Sequence, residues 1–500
     1  MTASGPRKSR QRFILIGILF FHSVNTYMDR ACIASAVDYI KRDLSISGET
    51  MGLVLGIFAI GYALFQVPSG WIADRLGPRK ALTIVVSVWS VFTALTGAAR
   101  NALQMLVLRF LFGVGEAGAF PGAAQAFFRW LPVKDRGLAH GINFSGSRLG
   151  AAFSLFLMPF LIGGCSWKTS FWGLLDQPFY LVWSGIGWRW TFAVNGLIGI
   201  IWATVWLLWF RDNPKDNPKV NAEELDYIEK GRVSDFTGTV KSSFAEVFTS
   251  LNMSLAMVQY FASNVTFFIS LTWLPSYLKN QWPDDPKAVY FSAAPLVFAA
   301  FANWVAGGMV TRLFDKGLHV ESRRITAIVG FVLGVLGLLL ATQTENLYLF
   351  VLWFSLATFG VDMTLSPSWA FCNDIGGANS GAVSGSMNMV GNIGAALSAI
   401  AFPLLQNEDT GSANTFFLLA AGLNIVAIGA WCFMNPNRAS DRRLSPDAIR
   451  RRFIAMLTSL FLLTCGAVGY KIYRSIQKEP APVAEPNGVD TSDVNGVDRP

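Results

Sequence analysis

A chain of 500 residues could build several soluble domains, but 52% hydrophobic residues against 14% charged ones exclude that and describe a polytopic membrane protein. The net charge of +8 is dispersed over many loops with no single cationic face, which argues against a nucleic-acid partner. The five cysteines, Cys32, Cys165, Cys372, Cys432 and Cys465, sit in or beside different spans. They suggest no disulfide framework, and with only three histidines there is no metal-ligand cluster.

In chain order, a basic arm (1–12) carries Arg7, Lys8, Arg10 and Arg12. The apolar segment after it is too long for a signal peptide and lacks a small-residue cleavage site, so it reads as a retained first helix. Windows of about 20 mostly apolar residues place spans at 13–39, 51–73, 80–99, 102–128, 137–163 and 191–210. A second set lies at 251–278, 288–312, 325–343, 346–371, 379–405 and 412–434, and 453–470 is a candidate thirteenth. The polar stretch 211–250 divides them into an N-terminal half (13–210) and a C-terminal half (251–435). Its Asn-Pro turns followed by "AEELDYIEKGR" predict a cytoplasmic linker with a short amphipathic helix along the membrane.

Orientation follows from lysine and arginine, which cytoplasmic loops keep in excess. The arm, alternate loops such as Arg75, Arg79 and Lys80 or Arg129, Lys134 and Arg136, the linker, and the Arg-rich segment 436–452 hold most of them. Both ends of the twelve-span body are therefore expected in the cytoplasm. Between spans five and six, the aromatic stretch 165–190 reads as an interfacial lid or horizontal helix. The tail 471–500, poor in large apolar residues, is expected to be disordered.

Charges inside the spans are costly and mark function. "YMDR" puts Asp29 and Arg30 inside the first span, pointing about 100° apart, so each is expected to reach a different partner. In span four, Arg109 and Glu116 are seven residues apart and share a face, and Gly113, Gly115, Gly118 and Gly122 allow another helix to approach closely. A buried carboxylate beside arginine is a candidate proton carrier, with a simple helix-pairing role as the alternative. His22 shares a face with Asp29, and Asp362 is an intramembrane acid in span ten suited to interhelical bonding or ion coupling. Asn143 and Asn264 read as packing or cavity-lining amides.

"GWIADRLGPRK", between spans two and three, resembles the signature of the major facilitator superfamily. The resemblance implies twelve transmembrane helices in two pseudo-symmetric six-helix halves, with Asp74, Arg75 and Arg79 in a network that locks the cytoplasmic gate. The equivalent loop of the second half, "GGMVTRLFDKG", keeps the glycines and Arg312. "YMDR", "RFLFGVGEAGAFPG", "LPVKDRG", "GWRWTF" and "NPKDNPKVNAEELDYIEKG" together resemble the anion:cation symporter family over residues 12 to 435. The bacterial sugar-acid transporters are nearest.

That resemblance implies that Arg30 binds a substrate carboxylate, with Tyr27 and Tyr62 beside it. It also implies that Asp29 and Glu116 carry protons with Arg109 as charge partner, and that Ser366, Ser368, Trp369, Asn388 and Asn392 touch substrate from the second half. Where sugar-acid transporters often have glutamine, this chain has Ser147 followed by Arg148, a shorter hydroxyl beside an extra cation that suits a dianion or a different hydroxyl pattern. The expected activity is proton-coupled symport of a hexonate, hexarate or hexuronate by alternating access, by a monomer in the cell membrane with no cofactor beyond the coupling proton. A sodium-coupled or uniport carrier of phosphate or another anion is the alternative, and a transporter-like sensor a remote one. Nucleotide-loop, serine-elbow and metal motifs are missing, so an enzyme is not expected.

Overall fold

The computed structural model describes residues 9–169, 179–232, 244–285, 287–407 and 410–436, together with 447 and 451. The candidate thirteenth span and the tail lie outside the described residues. The N-terminal half comprises α1 (Gln11–Leu44), α2 (Gly48–Leu76), α3 (Pro78–Thr96), α4 (Ala102–Glu116), α5 (Ala119–Trp130), α6 (Val133–Gly163), a hairpin of β1 (Cys165–Thr169) and β2 (Phe179–Trp183), and α7 (Gly187–Trp209). After the linker helices α8 (Ala222–Arg232) and α9 (Phe244–Phe248) come α10 (Leu251–Thr272), α11 (Leu274–Gln281), α12 (Ala294–Asp315), α13 (His319–Ala341), α14 (Leu347–Met363), α15 (Leu365–Gly376), α16 (Ser380–Leu404) and α17 (Asn414–Phe433).

Ten stretches among the described residues are long and apolar enough to cross a bilayer. One of them, Leu347–Leu404, folds as two passes. α1, the first pass, brings the number among the described residues to twelve, its apolarity diluted by His22, Asn25, Asp29 and Arg30. Passes four, seven and ten are each broken in two, at Ala117–Gly118, Trp273 and Thr364. In every case a proline follows within the first turn of the next helix: Pro121, Pro275 and Pro367. Proline needs no amide partner there but cannot continue the ladder behind it. Two of the breaks fall in passes four and ten, which are equivalent in the two halves.

The aromatic insertion is an antiparallel hairpin, Cys165 opposite Trp183 and Thr169 opposite Phe179, and not a horizontal helix. Gly164 and Gly185 take positive φ (75° and 72°) at its base, and a Cβ on Gly164 would meet the Trp183 carbonyl. That left-handed backbone ends α6 and turns the chain back on itself. At the opposite, linker face, Glu224 of α8 accepts the amides of Gln11 (3.0 Å) and Arg12 (3.1 Å) and the Ser9 hydroxyl. A carboxylate is thus seated on the free amides at the start of α1, where the helix dipole favours it.

Close helix approach follows the glycines of pass four. Gly113 faces the backbone of α2, where a Cβ would lie 2.2 Å from the Phe58 carbonyl, and Gly115 faces Trp89 of α3. Large buried aromatics fill the N-terminal half: Trp202, Trp206 and Phe210 stack in sequence along α7, and Trp89, Phe112, Phe127 and Trp130 are fully buried.

Polar bonds between the halves concentrate from mid-depth to the linker face. Asp74, at the end of α2, accepts the amides of Gly381 and Ala382, both at 2.8 Å, in the first turn of α16. Gln125 accepts from Ser380 (2.7 Å) and donates to the Ala378 carbonyl. Buried Asp374, at the end of α15, accepts from Arg136 of α6 and Arg323 of α13, each at 3.1 Å. Lys134 pairs with Asp315 (3.2 Å) on the rim. Arg79 takes a different course: its amide donates to Asp212 at the start of the linker and its guanidinium to the Leu207 carbonyl of its own half, so neither bond reaches the second half. Arg75 is exposed and lies over the Trp71 ring at 4.0 Å.

Candidate substrate cavity

Between the halves at mid-depth lies a narrow cavity of about 20 Å³, lined from the N-terminal half by Tyr27, Arg30, Tyr62, Phe120, Phe144 and Arg148. Tyr260, Asn264, Phe268, Leu365, Asn388 and Asn392 complete it from the other half. A wider groove on the linker face, bordered by Lys134, Asp226, Tyr227 and Lys230, shares no lining residue with it.

Arg30 is held at one side of the cavity. Its Nε donates to Glu116 Oε1 at 2.6 Å, and its guanidinium lies over the rings of Tyr62 (4.4 Å), Tyr27 (5.0 Å) and Phe58 (5.3 Å). Glu116 is fully buried at the last residue of α4, where the helix breaks. The other Glu116 oxygen and Arg30 Nη2 have no hydrogen-bond partner among the described residues. This is an ion pair with bonding capacity in reserve.

Arg148 is held more completely on the other side. Nε and Nη2 grip the two oxygens of Asp362 at 2.6 and 2.8 Å, Nη1 donates to the Tyr27 hydroxyl at 3.2 Å, and the guanidinium lies 3.4 Å over Phe267. Asn303 of α12 also donates to Asp362 at 3.1 Å. A bidentate arginine–carboxylate pair with a further donor is the strong form of a charged hydrogen bond.

Asp29 and Arg109 lie behind this layer, inside the N-terminal half. Asp29 Oδ2 accepts from Trp89 Nε1 (3.1 Å) and Asn25 (3.4 Å), and its other oxygen has no hydrogen-bond partner among the described residues. Arg109 has no ion-pair partner among the described residues and lies over the rings of Phe112 (4.6 Å) and Phe58 (5.2 Å). Asp29 and Arg30 therefore do reach different surroundings, but the close partner of Arg30 is Glu116, and Arg109 touches neither acid. The His22 ring packs between Trp89 and Trp202, 4.8 Å from the latter.

In the second half, Asn388 donates to Tyr62 (3.2 Å) and Gln66 (3.0 Å), and Asn392 donates back to the Asn388 carbonyl. Both asparagines line the cavity. Ser366 and Ser368 do not, because their hydroxyls bond the Gly137 and Thr364 carbonyls, each at 2.6 Å. Ser147 is likewise turned to the Phe144 carbonyl. Trp369 is fully buried, donating to the Tyr260 hydroxyl at 3.0 Å and packed on Phe120 and Phe144. It is a layer removed from the cavity wall. Asn143 accepts from Ser23 (2.8 Å) and holds α6 to α1. Sequence reasoning passed over Tyr260, Asn303, Gln66 and the Arg136–Asp374–Arg323 cluster. For the last, opposite charges at helix ends in separate halves were the available signal.

The profile of the Major Facilitator Superfamily matches residues 19–175 and 179–399. The chain is 31% identical over 444 residues to a probable sulfoacetate transporter of Cupriavidus necator, covering 88% of this chain and 97% of that one. It is 30% identical over 418 residues to a probable galactarate/D-glucarate transporter of Escherichia coli, covering 79% and 88%. Among solved structures, the proton:xylose symporter XylE bound to 6-bromo-6-deoxy-D-glucose superposes with a TM-score of 0.66 at 14% identity, over 84% of this chain and 95% of that one, a likeness of fold. With these matches spanning both halves and the cavity between them, the chain belongs to the major facilitator superfamily, among relatives that are named as transporters and not enzymes.

Proposed function

We propose that the protein is a proton-coupled symporter of a small organic anion, a sugar acid or an acid of similar charge, working by alternating access with the linker face in the cytoplasm. The observation that carries this reading is the Arg30–Glu116 ion pair at the cavity wall. An ionised Glu116 occupies the guanidinium that an incoming carboxylate needs. Protonation of Glu116 releases Arg30, and an arriving anion then restores the charge balance that a buried arginine requires. Proton and anion thus favour each other's binding, and a cavity holding one without the other leaves a bare charge that is expensive to reorient through the bilayer. Asp29, buried one helix layer deeper, is a second proton-carrying group. The names of the sulfoacetate and galactarate relatives support an anionic substrate.

Arg30 lies at mid-depth, and the Asp74 and Asp374 bonds between the halves lie on its linker side, which supports reading that side as the closed gate. Asn388, Asn392, Tyr62 and Tyr27 offer neutral donors and acceptors for hydroxyl groups around the carboxylate. The test is uptake of labelled galactarate, galactonate and glucuronate into proteoliposomes under an imposed pH gradient, with a sodium gradient in parallel. Accumulation that ignores the pH gradient and follows sodium or the substrate gradient alone would sink proton coupling.

A further inference from the structure

The cavity has two arginine–carboxylate pairs, and the second has no role in the cycle just described. Arg148 comes from pass five of the N-terminal half and Asp362 from pass ten of the other, so their bidentate bond crosses between the halves at mid-depth. Both arginines approach one ring: Arg30 lies 5.0 Å and Arg148 5.7 Å from the centre of Tyr27. The two guanidinium groups can be no farther apart than those distances laid end to end. Both line the same enclosed space. Their carboxylates are placed alike, Glu116 ending α4 and Asp362 one residue before the end of α14, each at the break of the fourth pass of its half.

We propose that Arg148 is a second anion-binding residue, that the substrate is a short dianion bridging Arg30 and Arg148, and that its second anionic group displaces Asp362. This rests on the anion-carrier reading and narrows its substrate class. A monoanion satisfies Arg30 and leaves Arg148 locked to Asp362. A dianion substitutes for both protein carboxylates, each of which takes up a proton as its arginine is released, with two parallel bonds to each planar guanidinium and the Tyr27 hydroxyl between them. Displacement of Asp362 also unfastens an ionic bond between the halves at mid-depth, so occupancy of the second site is tied to their separation. Tyr27, Asn303, Phe267 and Asp362 face Arg148, and Asp362 is its one carboxylate among the described residues.

The experiment compares pairs of ligands that differ in one anionic group: galactarate with galactonate, six carbons each, and sulfoacetate with acetate, two carbons each. Affinities are measured calorimetrically on the purified full-length protein. Wild type should bind the dianion of at least one pair tenfold or more tightly than its monoanion. Asp362→Asn should tighten the dianion further, and the neutral pair Arg148→Gln/Asp362→Asn should bring the ratio to near one. The double variant leaves no bare buried charge, and Arg148→Lys, which keeps the charge but loses the fork, should give an intermediate ratio. A preference below tenfold in both pairs in wild type, or a ratio that survives in the double variant, overturns the dianion assignment alone. Failure of all four ligands to bind overturns the anion-carrier reading and this one with it.

Discussion

Glu116 and Asp362, at equivalent helix breaks in the two halves, each hold an arginine of the same cavity, one within its half and one across the seam. The first pair predicts a coupling residue. Glu116→Gln should abolish accumulation driven by a pH gradient while sparing substrate exchange, because a glutamine neither claims Arg30 nor carries a proton. Counterflow and gradient-driven uptake measured on the same proteoliposomes separate the two activities. Undiminished accumulation would make Glu116 a structural residue.

Arg30 should carry affinity. Arg30→Gln removes a charged hydrogen-bond donor worth about 1.5–3 kcal/mol, which corresponds to roughly 10- to 100-fold in the dissociation constant. Asp29→Asn, a layer away behind Trp89 and Asn25, should leave anion affinity within a few-fold and change the pH dependence of uptake. Calorimetric affinity and uptake against external pH on both variants decide this, and a loss of affinity as large in Asp29→Asn as in Arg30→Gln would refute the separation of roles.

Asp74 should set the balance between access states. Its carboxylate caps the first turn of α16 across the seam. Replacing it with alanine removes a cap and a favourable charge–dipole contact, together about 1–2 kcal/mol, available only while the linker face is closed. The closed population should fall by roughly 5- to 30-fold relative to the open one. Spin labels at Lys215 and Lys316, both exposed on that face, should report a longer distance in Asp74→Ala. An unchanged distribution would remove Asp74 from the gate.

Asp374 should matter for stability as well as access. Its removal leaves Arg136 and Arg323 buried without their common acceptor. Breaking a buried ion pair by removing one partner costs about 3–5 kcal/mol, so Asp374→Ala should unfold several degrees lower in detergent. The triple variant Asp374→Leu, Arg136→Met and Arg323→Met should recover much of the loss. An Asp374→Ala variant as stable as wild type would show that the cluster contributes nothing to stability.

The fold was legible because its signals are local. Passes could be read from runs of apolar residues, the six-and-six division from the 211–250 interruption, and the close approach of α4 to α2 and α3 from Gly113 and Gly115. The hairpin was missed because tryptophan and tyrosine mark the membrane interface whatever the backbone does there; the glycines at 164 and 185 were the better guide. In the site, Arg30, Tyr27, Tyr62, Asn388 and Asn392 line the cavity, while Ser147, Ser366 and Ser368 bond helix carbonyls. A serine in an apolar helix can always turn to the backbone three or four residues earlier, and no sequence pattern tells which way it turns. The Arg148–Asp362 pair was hidden for another reason: its members are 214 residues apart, and only the packing of the two halves brings them together.

The matched charges have an electrical consequence. The ionisable groups in and behind the cavity are Arg30, Arg109 and Arg148 with Asp29, Glu116 and Asp362, three positive and three negative. With all six ionised, the empty carrier moves no net charge when it turns over. Each uncompensated charge would otherwise add or remove about 2.3 kcal/mol per 100 mV of membrane potential. In the proposed cycle the return of the empty carrier is therefore silent to voltage, and the current is the charge of the anion less that of the protons proposed to travel with it.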